Sequence, residues 1–160
     1  MNLITTLGTL SSKSLYTVNG AAHSTLKGGS TGGTAKISVK ADSQTVTKSV
    51  IIDVIPPKVT LTYPKNYATG CSRTSTIYLK FSENIKASTY WSKIYIKNLS
   101  TGKIVSISKW TSGNTLYIKM SSIRCAYNWY QVYIPASAVK DSAGNNLAAG
   151  YTFRFKTGRY

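Results

Sequence analysis

The sequence is short of acidic side chains. Its 160 residues include 4 Asp and Glu against 20 Lys and Arg, which gives a formal net charge of +16 at pH 7. The four carboxylates are Asp42, Asp53, Glu83 and Asp141, and each lies beside a predicted turn or strand end. Catalysis by a carboxylate pair needs two of them in one cleft. We therefore expect no hydrolase of that kind.

Histidine and cysteine are also scarce. His23 is the only histidine, so neither a Ser/His/Asp triad nor a zinc site has enough partners in the sequence. The string from Asp141 to Asn146 has too few acidic residues for an EF-hand loop, and Asp, Gly and Asn there favour a compact turn over a calcium site. We expect no enzyme activity, no cofactor and no metal site, and we expect His23 at the surface.

Long apolar runs are missing as well. No stretch of about 18 apolar residues occurs, so we expect no membrane insertion. The N-terminus does not begin a signal peptide, so an exported protein would contain this chain as a fragment. Helix-forming residues do not recur at a spacing of 3.6 over three turns, and we predict no long helix.

A four-residue pattern, aliphatic-Tyr-aliphatic-Lys, occurs three times, at 77–80, 94–97 and 116–119. Each copy alternates an aliphatic residue with tyrosine or lysine. A period of two is the side-chain period of a strand with one face on a core and the other in water. The sequence therefore predicts an aliphatic interior and an exterior of tyrosine and lysine.

Turn signals divide the whole chain into short strands. The segment Ile55-Pro56-Pro57-Lys58 interrupts them, because proline lacks a donor for the ladder and restricts the residue before it. We predict a domain boundary there, between 1–55 and 56–160. The predicted strands before it are 4–10, 15–18, 21–26, 35–41 and 45–54. Those after it are 59–63, 74–82, 93–99, 103–108, 115–120, 130–135 and 151–157.

Seven short strands in about 100 residues are typical of an immunoglobulin-like sandwich. The predicted fold class is all-β, an Ig-like β-sandwich of about seven strands preceded by a partial Ig-like β-domain. The residues predicted to face the core are Ile77, Leu79, Phe81, Ile94, Ile96, Leu116, Ile118, Met120, Tyr130, Val132, Ile134, Tyr151, Phe153 and Phe155.

Several stretches of the second domain resemble a known family. They are 57–64, Ala68-Thr69-Gly70, 77–85, 113–116, 130–135, the turn 139–147 and Phe153-Arg154-Phe155. Because of these stretches, the segment 57–158 resembles the bacterial Ig-like domain of the S-layer SbsA type. The resemblance implies a module of an extracellular surface-layer or adhesin-like protein of bacteria or methanogenic archaea, with neighbouring Ig-like repeats as partners.

The first domain resembles a different type of Ig-like repeat. Residues 5–10, 17–22 and 33–39 resemble the C-terminal half of an invasin-type Ig-like repeat, which would place such a half-repeat at 5–54. A complete repeat of that type would have further strands upstream. An unpaired strand edge recruits partners, so we expect either a shortened sheet or self-association through it.

The two cysteines fall in connections that an alternating sandwich places at one end. Cys71 lies between the first and second strands and Cys125 between the fifth and sixth. A Cys71–Cys125 disulfide is therefore predicted, and it would stabilise the fold by roughly 4 kcal/mol in the chain-entropy model. Two free neighbouring thiols are the alternative.

Tyrosine and lysine on the outer faces are the candidate binding residues. The second and fifth strands are neighbours in this fold, so one sheet is expected to present Tyr78, Lys80, Tyr117 and Lys119. The other sheet is expected to present Tyr95, Lys97, Tyr133, Arg154 and Lys156. Rings beside cations suit sugars and anionic groups, and Trp91, Trp110 and Trp129 at strand ends or loops add stacking surface. The alternative is structural, since tyrosine favours strands and lysine protects edges.

Three function classes follow. The first is a structural Ig-like repeat of a cell-surface or adhesin-like protein, acting as a spacer and surface-attachment domain. The second is a binding module for an anionic cell-wall polymer or glycan, supported by the positive charge. Nucleic-acid binding is third, because no recognition helix or RNA-binding signature accompanies the lysines.

Overall fold

The computed structural model describes residues 1–160, the whole chain. The chain forms two compact units, unit 1 (Met1–Ile55) and unit 2 (Pro56–Tyr160). Strands dominate both, and the helical content is a single 3-10 turn at Trp91–Lys93. No helix of the structure is long and apolar enough to cross a membrane.

Unit 1 contains a three-stranded sheet in the order β1-β4-β5 and a two-stranded pair β2-β3. The strands are β1 (Asn2–Thr5), β2 (Thr9–Leu10), β3 (Leu26–Lys27), β4 (Gly33–Ala41) and β5 (Gln44–Ile52). β4 and β5 form a hairpin in which Ala41 pairs with Gln44. Asp42 in the two-residue turn has φ of 51°, a left-handed conformation that Asp tolerates well. The buried apolar residues of this unit are Leu3, Leu10 and Ala35, so its core is small.

The strand predictions for unit 1 are partly wrong. The predicted strand 15–18 is absent, and of 21–26 only Leu26 lies in a strand. Val18 and Ala21 instead form an isolated bridge around Asn19-Gly20. Both turn residues have positive φ there, so the chain reverses locally before a strand can extend. His23 is exposed, as predicted.

Unit 2 is a sandwich of two main sheets. Sheet I has the strand order β12-β13-β8-β6, and sheet II has the order β11-β10-β14-β16-β7. A small pair, β15-β9, lies outside them. The strands are β6 (Val59–Tyr63), β7 (Ala68–Cys71), β8 (Ile77–Phe81), β9 (Lys86–Ala87), β10 (Tyr95–Asn98), β11 (Ile104–Val105), β12 (Ile107–Ser112), β13 (Thr115–Met120), β14 (Trp129–Ile134), β15 (Val139–Lys140) and β16 (Tyr151–Thr157).

The core of unit 2 lies between the two sheets and follows the predicted alternation. Leu79, Ile96 and Ile118 are fully buried, and the tyrosines beside them lie half-buried on the outer faces. The all-β Ig-like sandwich is thus confirmed. The buried cluster is Ile77, Leu79, Phe81, Ile85, Ile94, Ile96, Leu116, Ile118, Met120, Tyr130, Val132, Ile134, Ala138, Val139, Leu147, Phe153 and Phe155.

The connection between β10 and β13 differs from the prediction. The predicted strand 103–108 is two strands, because β11 pairs with β10 in sheet II and β12 pairs with β13 in sheet I. The chain changes sheet at Ser106, and β12 continues to Ser112 before a turn at Gly113-Asn114. Trp110, placed by the sequence at a strand end or loop, therefore lies inside β12.

Candidate functional site

The outer face of sheet I carries a row of four aromatic residues. The sequence predicts that Tyr78 and Tyr117 share one sheet, and the structure places Tyr78 on β8 directly opposite Tyr117 on β13. The row continues to Tyr63 on β6 and Trp110 on β12. The ring centroids of neighbours are 5.2 to 6.2 Å apart. We call these four residues the aromatic row.

The rings of the aromatic row largely stack on one another. Tyr63 and Tyr78 differ by 15° in ring plane, and Trp110 and Tyr117 differ by 10°. Nearly parallel rings at about 5 Å are offset-stacked, so each covers a face of its neighbour. Such cross-strand pairs stabilise a sheet. The half-buried Tyr78 and Tyr117 therefore present mainly ring edges and hydroxyls to solvent, whereas Tyr63 and Trp110 at the ends of the row are exposed.

Two lysines lie on either side of this row. Lys80 pairs with Thr115 and Lys119 pairs with Ser108, so the two ammonium groups belong to different cross-strand rows. Both side chains are exposed. Sheet I thus presents hydroxyls and positive charge in alternation, which suits an anionic surface more than a neutral one.

Sheet II carries the other predicted residues on its outer face. Tyr95 pairs with Tyr133, and their rings are 5.2 Å apart. Lys97 lies opposite Gln131, which in turn lies opposite Arg154. Lys156 is half-buried and pairs with Trp129 at the start of β14. The placement of all five residues on the β10-β14-β16 surface agrees with the prediction.

A groove of about 240 Å³ lies at one end of this surface. Tyr67, Trp129 and Arg154 line it together with Leu99 and Ser100. The rings of Tyr67 and Trp129 meet at 71° with centroids 6.3 Å apart and form a corner in which Tyr67 is exposed and Trp129 is half-buried. The Arg154 side chain is exposed beside them. We call this the Trp129 groove.

The backbone positions Tyr67 in the groove. Its N–H donates to the carbonyl of Arg154 at 2.7 Å, and the N–H of Arg154 donates to Oδ1 of Asn66 at 3.0 Å. These bonds arise where β7 pairs with β16 in parallel. Sequence analysis missed both Tyr67 and β7, because a parallel pairing over a separation of nearly 90 residues leaves no local signal.

The cysteines do not form the predicted disulfide in this structure. Cys71 and Cys125 are both free thiols, the first half-buried and the second exposed. They do lie at one end of unit 2, because Thr157 pairs with Cys71 and donates its hydroxyl to the carbonyl of Cys125 at 2.7 Å. Burial raises the pKa of Cys71, and the nearby charge of Arg124 opposes that shift.

The acidic turn is structural, in agreement with the sequence analysis. Asp141 is 2% exposed and accepts hydrogen bonds from the backbone of Gly144 and Asn145 at 2.7 and 2.8 Å. A carboxylate oxygen of Glu83 lies within 4.8 Å of one of Asp141. Since the Asp141 oxygens already hold the turn closed, this pair is poorly suited to proton transfer.

The family model of the bacterial Ig-like domain matches residues 53–157. The chain belongs to the bacterial Ig-like domain family. This confirms the resemblance drawn for the second domain. The resemblance of 5–54 to an invasin-type repeat lies almost wholly outside the matched residues and stays a prediction.

Two solved structures are similar to this bacterial Ig-like domain. The N-terminal part of the bacterial S-layer protein SbsC is 17% identical with a TM-score of 0.49, and the match covers 66% of this chain and 24% of that chain. CopC from Methylosinus trichosporium OB3b is 15% identical with a TM-score of 0.47, over 64% of this chain and 93% of that chain. The chain thus spans about a quarter of the SbsC structure. No curated protein matches it.

Proposed function

We propose that the chain is a structural module of an extracellular cell-surface protein and that unit 2 is a spacer in series with neighbouring Ig-like repeats. The observation that supports this most is the course of the chain through unit 2. The chain enters at one end of the sandwich and leaves at the other, which is the arrangement a linear array of modules needs.

The two ends are identified by local contacts. Pro57 and Val59, at the start of β6, line one cavity with Tyr151, the first residue of β16. At the far end of β16, the N–H of Gly158 donates to the carbonyl of Cys71 at 2.9 Å. β16 has seven residues and therefore spans about 20 Å, which separates the points of entrance and exit.

Force spectroscopy on the full chain tests the spacer role. Handles at residues 58 and 159 load the parallel β7–β16 pair along the strands, and we expect resistance in that direction. Handles at 58 and 150 lie at the same end and serve as the control, because they separate the strands one bond at a time. Equal unfolding forces in the two geometries would argue against a load-bearing module. Antibody labelling of intact source cells tests the surface location separately, and labelling only after lysis would contradict it.

Binding of an anionic glycan is a second candidate, and the Trp129 groove is the observation that favours it. A sugar ring can stack on Trp129 or Tyr67 while its carboxylate or sulfate meets the guanidinium of Arg154. The groove also differs from the aromatic row because the guanidinium of Arg154 lies beside its rings. This proposal would give the module a surface-attachment role in addition to spacing.

A binding assay separates these alternatives. The probes are an oligogalacturonide, a neutral oligosaccharide of equal length and duplex DNA, each at low and physiological salt. We expect tightest binding of the acidic sugar, reduced at least tenfold by Trp129→Ala or Arg154→Gln. Trp110→Ala is the matched control on sheet I and should retain binding. Equal retention of all probes at low salt alone would indicate a nonspecific polycation.

A further inference from the structure

A small basic pocket lies at the end of unit 2 where β8 begins and β13 ends. Its volume is about 180 Å³. It is lined by Arg73 and Thr74 from the loop before β8 and by Lys119, Met120, Ser121, Ser122, Ile123 and Arg124 from β13 and the loop after it. Three cationic side chains and three hydroxyl groups thus meet in one concavity.

Arg124 is the unusual member of this set. It is 2% exposed, with its guanidinium 5.6 Å from the ring centroid of Phe155. Its terminal nitrogens donate to the carbonyls of Ser75 and Ser72, and its Nε is buried without a hydrogen-bond partner. Carbonyl oxygens solvate the charge but do not neutralise it. A buried charge without a counterion is costly, so this end of the fold is electrostatically incomplete.

Neither acidic side chain of unit 2 lies at this end of the fold. Its two acidic residues, Glu83 and Asp141, lie near one another beyond the last residue of β8, Phe81. The pocket lies at the first residue of β8, Ile77, which pairs with Ile118 near the end of β13. β8 has five residues, so its two ends lie about 13 Å apart. An anion from solution is therefore the available counterion.

The pocket is also held in a fixed shape. Nε of Arg73 donates to the carbonyl of Arg124 at 2.5 Å, and the N–H of Arg124 donates to the carbonyl of Arg73 at 3.1 Å. This reciprocal pair ties the loop before β8 to the loop after β13. Nη1 of Arg73 also donates to the carbonyl of Arg159 at 3.4 Å, so Nη2 is the terminal nitrogen that can donate to an oxyanion, a group that arginine binds well.

We infer that the Arg73–Lys119–Arg124 pocket binds a tetrahedral oxyanion, a phosphate or sulfate group. Two or three positive charges and the hydroxyls of Thr74, Ser121 and Ser122 match its charge and its acceptor oxygens. The group can be a free ion or the phosphodiester of a surface polymer. The site shares no lining residue with the Trp129 groove, and the inference does not depend on glycan binding there.

Calorimetric titration of the full chain tests this site. The probes are inorganic phosphate, sulfate and dimethyl phosphate, and dimethyl phosphate represents the diester of a polymer backbone. Each probe is titrated in a chloride buffer at constant ionic strength. We expect saturable binding of phosphate and sulfate, weakened at least tenfold by Arg73→Gln and by Lys119→Gln. Lys58→Gln removes an exposed cation at the opposite end of β8 and should leave the affinity unchanged. Dimethyl phosphate binding within tenfold of phosphate indicates that the pocket accepts a polymer diester, and weaker binding restricts the site to free ions.

The NMR signals of the pocket provide an independent readout that does not need Arg124 to be replaced. On addition of phosphate, the backbone amides of Thr74 and Ser122 and the Nε–Hε signal of Arg124 should shift together, with one dissociation constant. The inference is overturned if chloride alone gives the same shifts, if the amides do not respond, or if Arg73→Gln and Lys58→Gln bind phosphate equally well. Thermal melts of the ligand-free variants verify that each one is folded.

Discussion

Asn145 holds Asp141 with two donors. Its backbone N–H donates to Oδ1 and its side-chain amide donates to Oδ2, both at 2.8 Å. The turn between β15 and β16 therefore closes on a buried, ionised carboxylate. Burial raises the pKa of Asp141, but hydrogen bonds from Asn145, Gly144 and Ala143 more than offset this and bring the pKa below its ordinary value of 3.8.

Unit 2 should lose stability in acid because of this turn. A carboxyl group whose pKa is depressed by folding stabilises the native state above its ordinary pKa, and that contribution is lost as the pH falls through the lower folded value. Asp141→Asn should cost about 1–3 kcal/mol at pH 7 and flatten the dependence of stability on pH below about 4. Urea unfolding followed by tryptophan fluorescence reports unit 2 alone, since all three tryptophans lie there. Asp42→Asn, at an exposed turn of unit 1, is the control, and an unchanged acid limb in Asp141→Asn would refute this.

The hydroxyl of Tyr130 should contribute more to the stability of unit 2 than the hydroxyls of the other tyrosines. It accepts hydrogen bonds from the N–H of Cys125 at 2.8 Å and from Nδ2 of Asn98 at 3.3 Å, and the side chain is 1% exposed. Tyr130→Phe leaves two donors without their acceptor and should destabilise unit 2 by about 1–3 kcal/mol. Tyr133→Phe on the outer face of the same strand should cost much less. Equal midpoints of the two variants in chemical unfolding would contradict this account.

The alternation of β8 predicts a contrast between adjacent positions. Leu79 is fully buried between the sheets, so Leu79→Ala should destabilise unit 2 by about 2–5 kcal/mol. Lys80 points outward, and Lys80→Ala should change stability by no more than about 0.5 kcal/mol. Equilibrium unfolding in guanidinium chloride measures both. Comparable losses at the two positions would mean that the β8 register is wrong.

The two thiols should differ in reactivity. Cys125 is exposed, whereas Cys71 is half-buried with a raised pKa, so less of it is thiolate at pH 8. A disulfide-exchange reagent should therefore modify Cys125 first, in a fast phase that Cys125→Ser removes. Cys71→Ser should remove the slow phase only. If both thiols react with the reagent at a single rate, the difference in their exposure is contradicted. Mass spectrometry of oxidised, unreduced protein separately tests the predicted Cys71–Cys125 disulfide.

The sequence predicted the faces of the strands better than their connections. Ile77, Leu79, Tyr78 and Lys80 alternate within one strand, so each side chain's face follows from local spacing. The order of strands in the fold makes the strands of Tyr78 and Tyr117 neighbours, and the structure adds the register that places the two residues opposite one another.

The candidate sites depended on longer-range relationships. Trp110 joins the aromatic row only because the chain changes sheet at Ser106, and nothing near Ser106 in the sequence specifies that change. Tyr67 meets Trp129 through a parallel pairing with β16. From the sequence alone, Arg124 is expected to be a surface cation like the others. Its burial depends on packing against Phe155. The sequence therefore predicts which aromatic and cationic side chains are present, but not that they come together in the Trp129 groove or in the basic pocket.

Unit 1 should self-associate through the open edge of β5. This strand has nine residues, pairs only with β4, and is exposed along almost its whole length. Val46 and Val50 are 60% and 43% exposed, and a long unpaired strand edge is a template for pairing with a second copy. In sedimentation at about 0.15 M salt, where charge repulsion is screened, we expect concentration-dependent dimers that Val46→Lys with Val50→Lys weakens at least tenfold. Val18→Lys, an exposed position outside β5, should not affect the dimer. A protein that stays monomeric at all concentrations, or dimers unaffected by the paired lysines, would rule out this edge as the contact.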